Sequence, residues 1–245
     1  MSDPVFFVDA LPRSGRFVMG GDEGHHASTV KRLRPGERLV LSDGDGGWAP
    51  AVVVSADGRG LAVDVGAHQY DAAPALSVTL VQALPKGERS DLAVDLATEA
   101  GVDAIVPWQA SRCVARWDGG SGKAERGRQK WQRVAREAAK QSRRRRIPPV
   151  GALAGIDDVV RAITAAELAL VLHEEGSVAL GSVPLPTAGL VVLVVGPEGG
   201  VAPEEIERFE AAGARTVRLG AEVLRTSTAA AVALGALGVM TGRWP

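Results

Sequence analysis

The chain has 245 residues, 46% hydrophobic and 23% charged, enough for a substantial core in one large domain or two modest ones. No apolar run is long enough to span a bilayer: the longest, 229–240, is broken by Gly235 and Gly238. Cys113 is the single cysteine, which excludes an intrachain disulfide and a cysteine-based zinc site. The opening MSDPVFFVDA lacks the basic start and long apolar stretch of a signal peptide, so a cytoplasmic protein is expected, with no membrane and no metal. The net charge of −1 hides an asymmetry. Residues 123–146 hold 11 Lys/Arg and two acids, a local +9, while the rest of the chain carries −10. Positive charge gathered in one segment gives a polyanion somewhere to dock.

Residues 1 to about 70 read as short strands, at 5–8, 16–19, 37–41, 49–54 and 60–65, with turns at 43–47 and 56–58. One helix is expected from Asp22 to about Leu33, closed by Pro35-Gly36. A small β-barrel with one helix is the simplest packing. The helix region carries His25, His26, Lys31, Arg32 and Arg34. Adjacent histidines point in different directions on a helix and make a poor metal pair. The cluster reads as a solvated face or as a nucleic-acid contact.

After a linker at 70–74 the elements lengthen and alternate. Strands are expected at 76–84, 103–108, 168–174, 190–195 and 216–219. Helices are expected at 90–100, 126–142 and 156–163, near 203, and from about 226. This alternation argues for a parallel sheet covered on both faces. In the 126–142 helix, Trp131, Val134, Ala135 and Ala138 form one apolar stripe. Arg128, Arg133, Arg136 and Lys140 lie off it, and Arg143, Arg144, Arg145 and Arg146 follow. Four consecutive arginines repel one another unless an anion relieves them, so phosphate contacts are expected here.

Two strand ends each feed a glycine-bearing loop and then a helix: Gly196-Pro197-Glu198-Gly199-Gly200, and Leu219-Gly220 followed by Val223-Leu224-Arg225-Thr226. Ligands of open α/β sheets bind in such crevices. The first loop is not G-x-G-x-x-G, which disfavours a Rossmann dinucleotide site. Residues 119–123, GGSGK, fail the phosphate-loop pattern and read as a flexible loop. No H-E-x-x-H, G-x-S-x-G or triad is present. Glu198 reads either as a partner for the following helix terminus or as a ligand contact. Arg225 reads as a buried arginine, either ion-paired to Glu198 or Glu222 or orienting an anionic target.

The ordered set Gly196-Pro197-Glu198-Gly199-Gly200, Leu219-Gly220, Leu224-Arg225-Thr226 and Thr228-Ala229 resembles the signature of the RsmE-type 16S rRNA uridine-N3 methyltransferases, of the SPOUT class. Most of the chain joins in. His25-His26 with Val30 and residues 32–36 resemble the family's N-terminal barrel. Lys86-Gly87, residues 98–102, Ser111-Arg112 and residues 137–143 match family segments in order. Many members carry Glu at the place of Ser227 and Lys at that of Leu96, so neither side chain is given a catalytic role.

The resemblance implies a PUA-like RNA-binding β-barrel over 1–72 and a trefoil-knotted α/β SPOUT methyltransferase domain over 73–245, working as a homodimer. It implies S-adenosyl-L-methionine as methyl donor, bound by Leu172, His173, Gly196, Pro197, Gly199, Gly200, Leu219, Gly220, Val223, Leu224, Thr226, Thr228 and Ala229. Arg225 would stabilise charge on the target uracil, with Glu198 as base or positioning group. The 16S rRNA, within assembled 30S subunits, would be held by Lys86, Arg112, the 25–34 cluster and the 123–146 segment. Transfer RNA as the substrate, or RNA binding without catalysis, are the alternative readings.

Overall fold

The structure is a computed structural model that describes residues 3–57, 60–117 and 122–244. Gly58 and residues 119–121, on which the expected turn and flexible glycine loop partly fall, lie outside the described residues. The chain forms two compact units, one of residues 1–73 with 139–147, the other of 74–138 with 148–245. The single boundary expected near residue 72 therefore becomes three crossings of the chain.

The first unit contains β1 (Val5–Phe7), β2 (Gly15–Met19), α1 (Gly21–His25), β3 (Arg38–Ser42), β4 (Gly47–Asp57), β5 (Gly60–Val65) and β6 (Gln69–Tyr70). The sheet runs β1-β3-β4-β5-β2, with β6 also on β4. Among the described strands β1 and β2 do not pair with each other, so hydrogen bonding leaves the expected barrel open. Alternating residues of its strands meet in one core of Phe6, Met19, Leu39, Leu41, Leu61 and Val63. Tyr70 belongs to β6, so the connection to the next unit begins later than the sequence suggests.

The helix expected over 22–33 is shorter and changes character. After α1 the backbone continues as a π-turn, His26–Val30, where Lys31 N–H donates to His26 O at 2.9 Å. Gly24 explains the placement: a Cβ there would lie 2.1 Å from the Met19 carbonyl oxygen, so only glycine lets the helix pack onto the end of β2. The element ends with Arg32 in the left-handed region, φ 53°.

Residues 139–147 complete this unit. Ala139 and Ile147 pack with Val5 and Phe7. The Ser42 hydroxyl donates to Arg145 O at 2.6 Å, and Ile147 N–H donates to Gly44 O at 2.9 Å. Lys140 Nζ lies 2.6 Å from the Glu23 carboxylate, their side chains 11% and 19% exposed, and 5.3 Å from the Phe6 ring centre. Arg145 pairs with Asp71 at 3.1 Å and stacks 4.1 Å over Trp48. Arg146 pairs with Asp45, donates to Asp71 O and lies over Tyr70. Part of the arginine run is thus relieved by carboxylates of its own unit, where the sequence reading invoked an external anion. Lys140→Ala is expected to lower the unfolding free energy by about 1–3 kcal/mol, read as a lower urea midpoint.

The second unit contains β7 (Leu76–Ala83), α2 (Arg89–Glu99), β8 (Ala104–Trp108), α3 (Lys123–Gln141, whose last turn belongs to the first unit), α4 (Ile156–Thr164), β9 (Leu168–Leu172), β10 (Val178–Ala179), β11 (Gly189–Val195), α5 (Pro203–Ala211), β12 (Arg215–Arg218) and α6 (Thr226–Met240). The strand order is β10-β12-β9-β11-β7-β8, and every pairing is parallel. The apolar run Val191–Val195 is fully buried, as a strand covered on both faces requires. Trp108 of β8 meets Phe209 of α5 edge to face at 5.4 Å.

The expected stripe on α3 is real: Trp131, Ala135 and Ala138 are buried. Trp117 packs on Trp131 at 5.1 Å, in a space that a Cβ at Gly127 would fill. At the start of α3, hydrogen bonds from Arg128 and then Gln129 hold the Glu125 carboxylate down to about 2 from an ordinary 4.5. A depressed carboxylate stabilises the fold above its unfolded value and loses that contribution as pH falls. Amide protection in the first turn of α3 should therefore weaken between about pH 4.5 and pH 2; Glu125→Gln should remove that pH dependence in hydrogen exchange.

Candidate functional site

The register of the parallel sheet sets the site. Val195 pairs with Leu172 on one side and Gln82 on the other, and Val217 pairs with Leu172. The carboxyl ends of β7, β9, β11 and β12 are therefore level along one edge, and Ala83 opposite Trp108 adds β8. Every loop leaving that edge opens onto the same space.

That space is a cavity of about 880 Å³. Leu172 and His173 line it from β9, residues 196–201 from β11, and residues 217–226 from β12, with Ala229 of α6. Val195, Pro197, Thr226 and Ala229 are buried, while Glu198, Gly199, Gly220, Val223 and Arg225 are exposed. The lining thus combines an apolar buried part with a polar, accessible one. A volume of this order suits a nucleoside-sized ligand.

Two glycines of the first loop have separate duties. Gly200 has φ +73°, a conformation that strains any L-residue. A Cβ at Gly196 would come 2.7 Å from Val201 Cγ2, so the loop closes tightly only on glycine. The loop is tied down on two sides. Glu198 Oε1 accepts from Lys86 N–H at 3.1 Å, and Arg112 Nη1 donates to Gly199 O at 3.2 Å. Glu205, 5% exposed, accepts Ala202 N–H at 3.0 Å and Ser111 N–H at 2.8 Å, joining the start of α5 to the loop after β8.

On the other wall, His173 N–H donates to Val217 O at 3.0 Å, and its Nδ1 accepts Glu175 N–H at 3.2 Å. Thr228 donates to Arg225 O through both its amide, 2.9 Å, and its hydroxyl, 3.1 Å, which fixes the entry to α6. Thr228 does not line the cavity, unlike the other residues assigned to the donor. The sequence expectation of a buried Arg225 is corrected: the residue is exposed, and no ion pair to Glu198 or Glu222 holds it. Ser227 is 1% exposed, lies off the cavity wall, and its hydroxyl lacks a partner among the described residues. Burial pushes the Cys113 thiol up, keeping it a neutral core group as expected.

The residues assigned to RNA divide among three places. Lys86 and Arg112 adjoin the cavity through the loop contacts above. Arg136 is on the second unit's part of α3. His25, His26, Lys31, Arg32, Arg34, Lys140 and Arg143 to Arg146 belong to the first unit. Sequence reasoning missed further charged lining side chains, among them Arg89, Glu174, Glu175, Glu207 and Arg218. The signal for Arg89 was available: Lys86-Gly87 marks a turn directly after a strand whose carboxyl end must share the edge.

A strand-edge cavity of this kind, in a chain that also folds a separate β-rich unit, defines a class of enzyme that known families name. An RNA methyltransferase domain family matches residues 72–238, and an RNA methyltransferase PUA domain family matches residues 20–65. The chain is 52% identical to a ribosomal RNA small subunit methyltransferase E of Mycobacterium bovis, covering 98% of this chain and 93% of the relative. A Bacillus subtilis protein of the same name is 31% identical, over 92% and 90%. The crystal structure of such an enzyme from Neisseria gonorrhoeae, bound to S-adenosyl methionine, superimposes with a TM-score of 0.83 at 27% identity, covering 98% of each chain. The chain belongs to the ribosomal RNA small subunit methyltransferase E family.

Replacing Gly200 by alanine forces an L-residue into the left-handed region, at about 1–2 kcal/mol. Calorimetry should show S-adenosylmethionine binding to Gly200→Ala weakened roughly ten-fold, with the far-UV spectrum unchanged.

Proposed function

We propose that this protein transfers the methyl group of S-adenosyl-L-methionine to N3 of a uridine in 16S rRNA, presented within assembled 30S subunits. One observation carries the reading: the residues that resemble the family signature, Thr228 apart, line one strand-edge cavity in a chain of that family. The cavity fits the donor, with a buried apolar part at Val195, Pro197 and Ala229, half-buried Leu172, and a glycine loop whose backbone a ligand can approach closely. When bound, the donor supplies an electrophilic methyl group on a cationic sulfur.

The protein must then hold the uracil in line and favour loss of its N3 proton. Arg225, exposed at the cavity and not ion-paired among the described residues, has its guanidinium available for the negative charge that develops on the base. Its backbone is fixed by Thr228, so the cation is carried on a set support. Glu198 serves chiefly to position the loop, through the Lys86 amide. The target base is presented unstacked, and rRNA phosphates meet Lys86, Arg112, Arg136 and the exposed cations of the first unit.

A homodimer belongs to the same reading. Val232, Val239 and Met240 on α6 are exposed and supply an apolar face for a second copy. The threaded knot belongs to it too, with residues 219–226 passing beside the 196–201 loop that lines the same cavity. No helix among the described residues is long and apolar enough to cross a membrane. Work in the cytoplasm alongside ribosomes belongs to the proposed reading, since that is where the rRNA substrate is.

Purified protein with labelled S-adenosylmethionine should label 16S rRNA in 30S subunits lacking the modification, and mass spectrometry should map it to uridine N3. Label appearing in transfer RNA instead, or in no RNA, would overturn the reading. Arg225→Ala is expected to lower kcat about 10²–10³-fold while donor affinity changes little; an unchanged kcat would remove Arg225 from the role.

A further inference from the structure

We propose that Arg89 is a second substrate-positioning cation, gripping a phosphate of the RNA strand beside the target nucleotide. It rests on the RNA methyl-transfer reading above and adds to it a residue and a contact. Arg89 is the first residue of α2 and lines the cavity on an element distinct from that of Arg225. Its side chain is exposed, and it forms no hydrogen bond or ion pair among the described residues. A guanidinium held at a cavity without a carboxylate partner is a ready donor for an incoming anion.

Its support is unusually firm for an exposed cation. The next two residues are clamped by α3: Trp131 Nε1 donates to Ser90 Oγ at 2.8 Å, and Lys130 Nζ lies 2.8 Å from Asp91. Trp131 is itself fully buried. The first turn of α2 is thus fixed from the neighbouring basic helix, while the Arg89 guanidinium remains free. Such an arrangement lowers the ordering cost of a bidentate contact.

Two anions could meet Arg89, the carboxylate of the donor and a phosphate of the RNA. Exposure favours the phosphate. The buried wall, at Val195, Pro197, Thr226 and Ala229, suits the small donor, whereas Arg89 stands with the exposed residues that a polymer arriving from solvent meets first. Arg89, Arg112, Arg218 and Arg225 together put four guanidinium groups on one cavity. Arg112 is engaged with Gly199 O, and Arg218 stands on β12, whereas Arg89 and Arg225 each open a helix at the cavity and divide the substrate between phosphate and base.

The test compares Arg89→Ala and Arg89→Lys with the natural protein on 30S subunits. For Arg89→Ala, kcat/KM for RNA should fall about 10–100-fold, and donor affinity by calorimetry should stay within about two-fold. The log–log salt dependence of RNA binding should lose about 0.7–0.9 in slope, the signature of one lost phosphate contact. Arg89→Lys should keep the slope and recover part of the rate, since Lys retains the charge without the bidentate fork. An unchanged kcat/KM, an unchanged slope, or a loss confined to donor affinity would overturn the proposal. Labelling of 16S rRNA by the natural protein in the same assay separates the two readings: if it labels and Arg89→Ala labels equally well, only the role of Arg89 fails.

Discussion

The register of the parallel sheet is the constraint on which the site depends. Because Val195 stands level with both Leu172 and Gln82, and Val217 with Leu172, the chain leaves several strands at one height. A slip of one residue in β11 would turn its side chains over and carry the glycine loop away from its neighbours. The buried Val/Leu packing on both faces is what resists such a slip. Catalytic geometry is in this sense a by-product of core packing: fully buried Val191 to Val194 hold the loop that Gly196 and Gly200 shape.

Around that edge, small polar contacts do the positioning. Glu205 serves two amides from separate segments, and Glu198 reaches back to the Lys86 amide. These contacts join the loops after β7, β8 and β11 into one frame. The charged residues left over are unequal in consequence. Arg112 gives one of its donors to a carbonyl, whereas Arg89 and Arg225 are uncommitted among the described residues and so retain their full capacity for a ligand.

Much of this was legible in the sequence because it follows from local pattern. Strands such as β11 and the stripe of α3 announce themselves by apolar runs and helical spacing, and the two glycine loops by their composition. Other features had no local signal. Nothing around Ala139 or Ile147 says that they pack on β1, since the strand they cover lies more than a hundred residues earlier in the chain. The two-residue strands β6 and β10 are too short for any periodicity. Arg225 was read as buried from its place at a helix start, but the preceding segment, 220–223, is itself exposed, and the arginine follows it into solvent. The arginine run was read by its charge alone; Asp71 and Asp45, distant in sequence, supply counter-charges that no window could include.

The return of residues 139–147 to the N-terminal unit bears on how the chain is born. Ala139, Lys140 and Ile147 supply a core contact, an ion pair and backbone bonds that this unit lacks until they are made. A ribosome emits about 5–20 residues each second and delivers the N-terminus first. The leading sheet must therefore wait several seconds, with Val5 and Phe7 uncovered, while the beginning of the second unit is synthesised. Maturation of the two units is interleaved, and the N-terminal one cannot finish as an independent early folder.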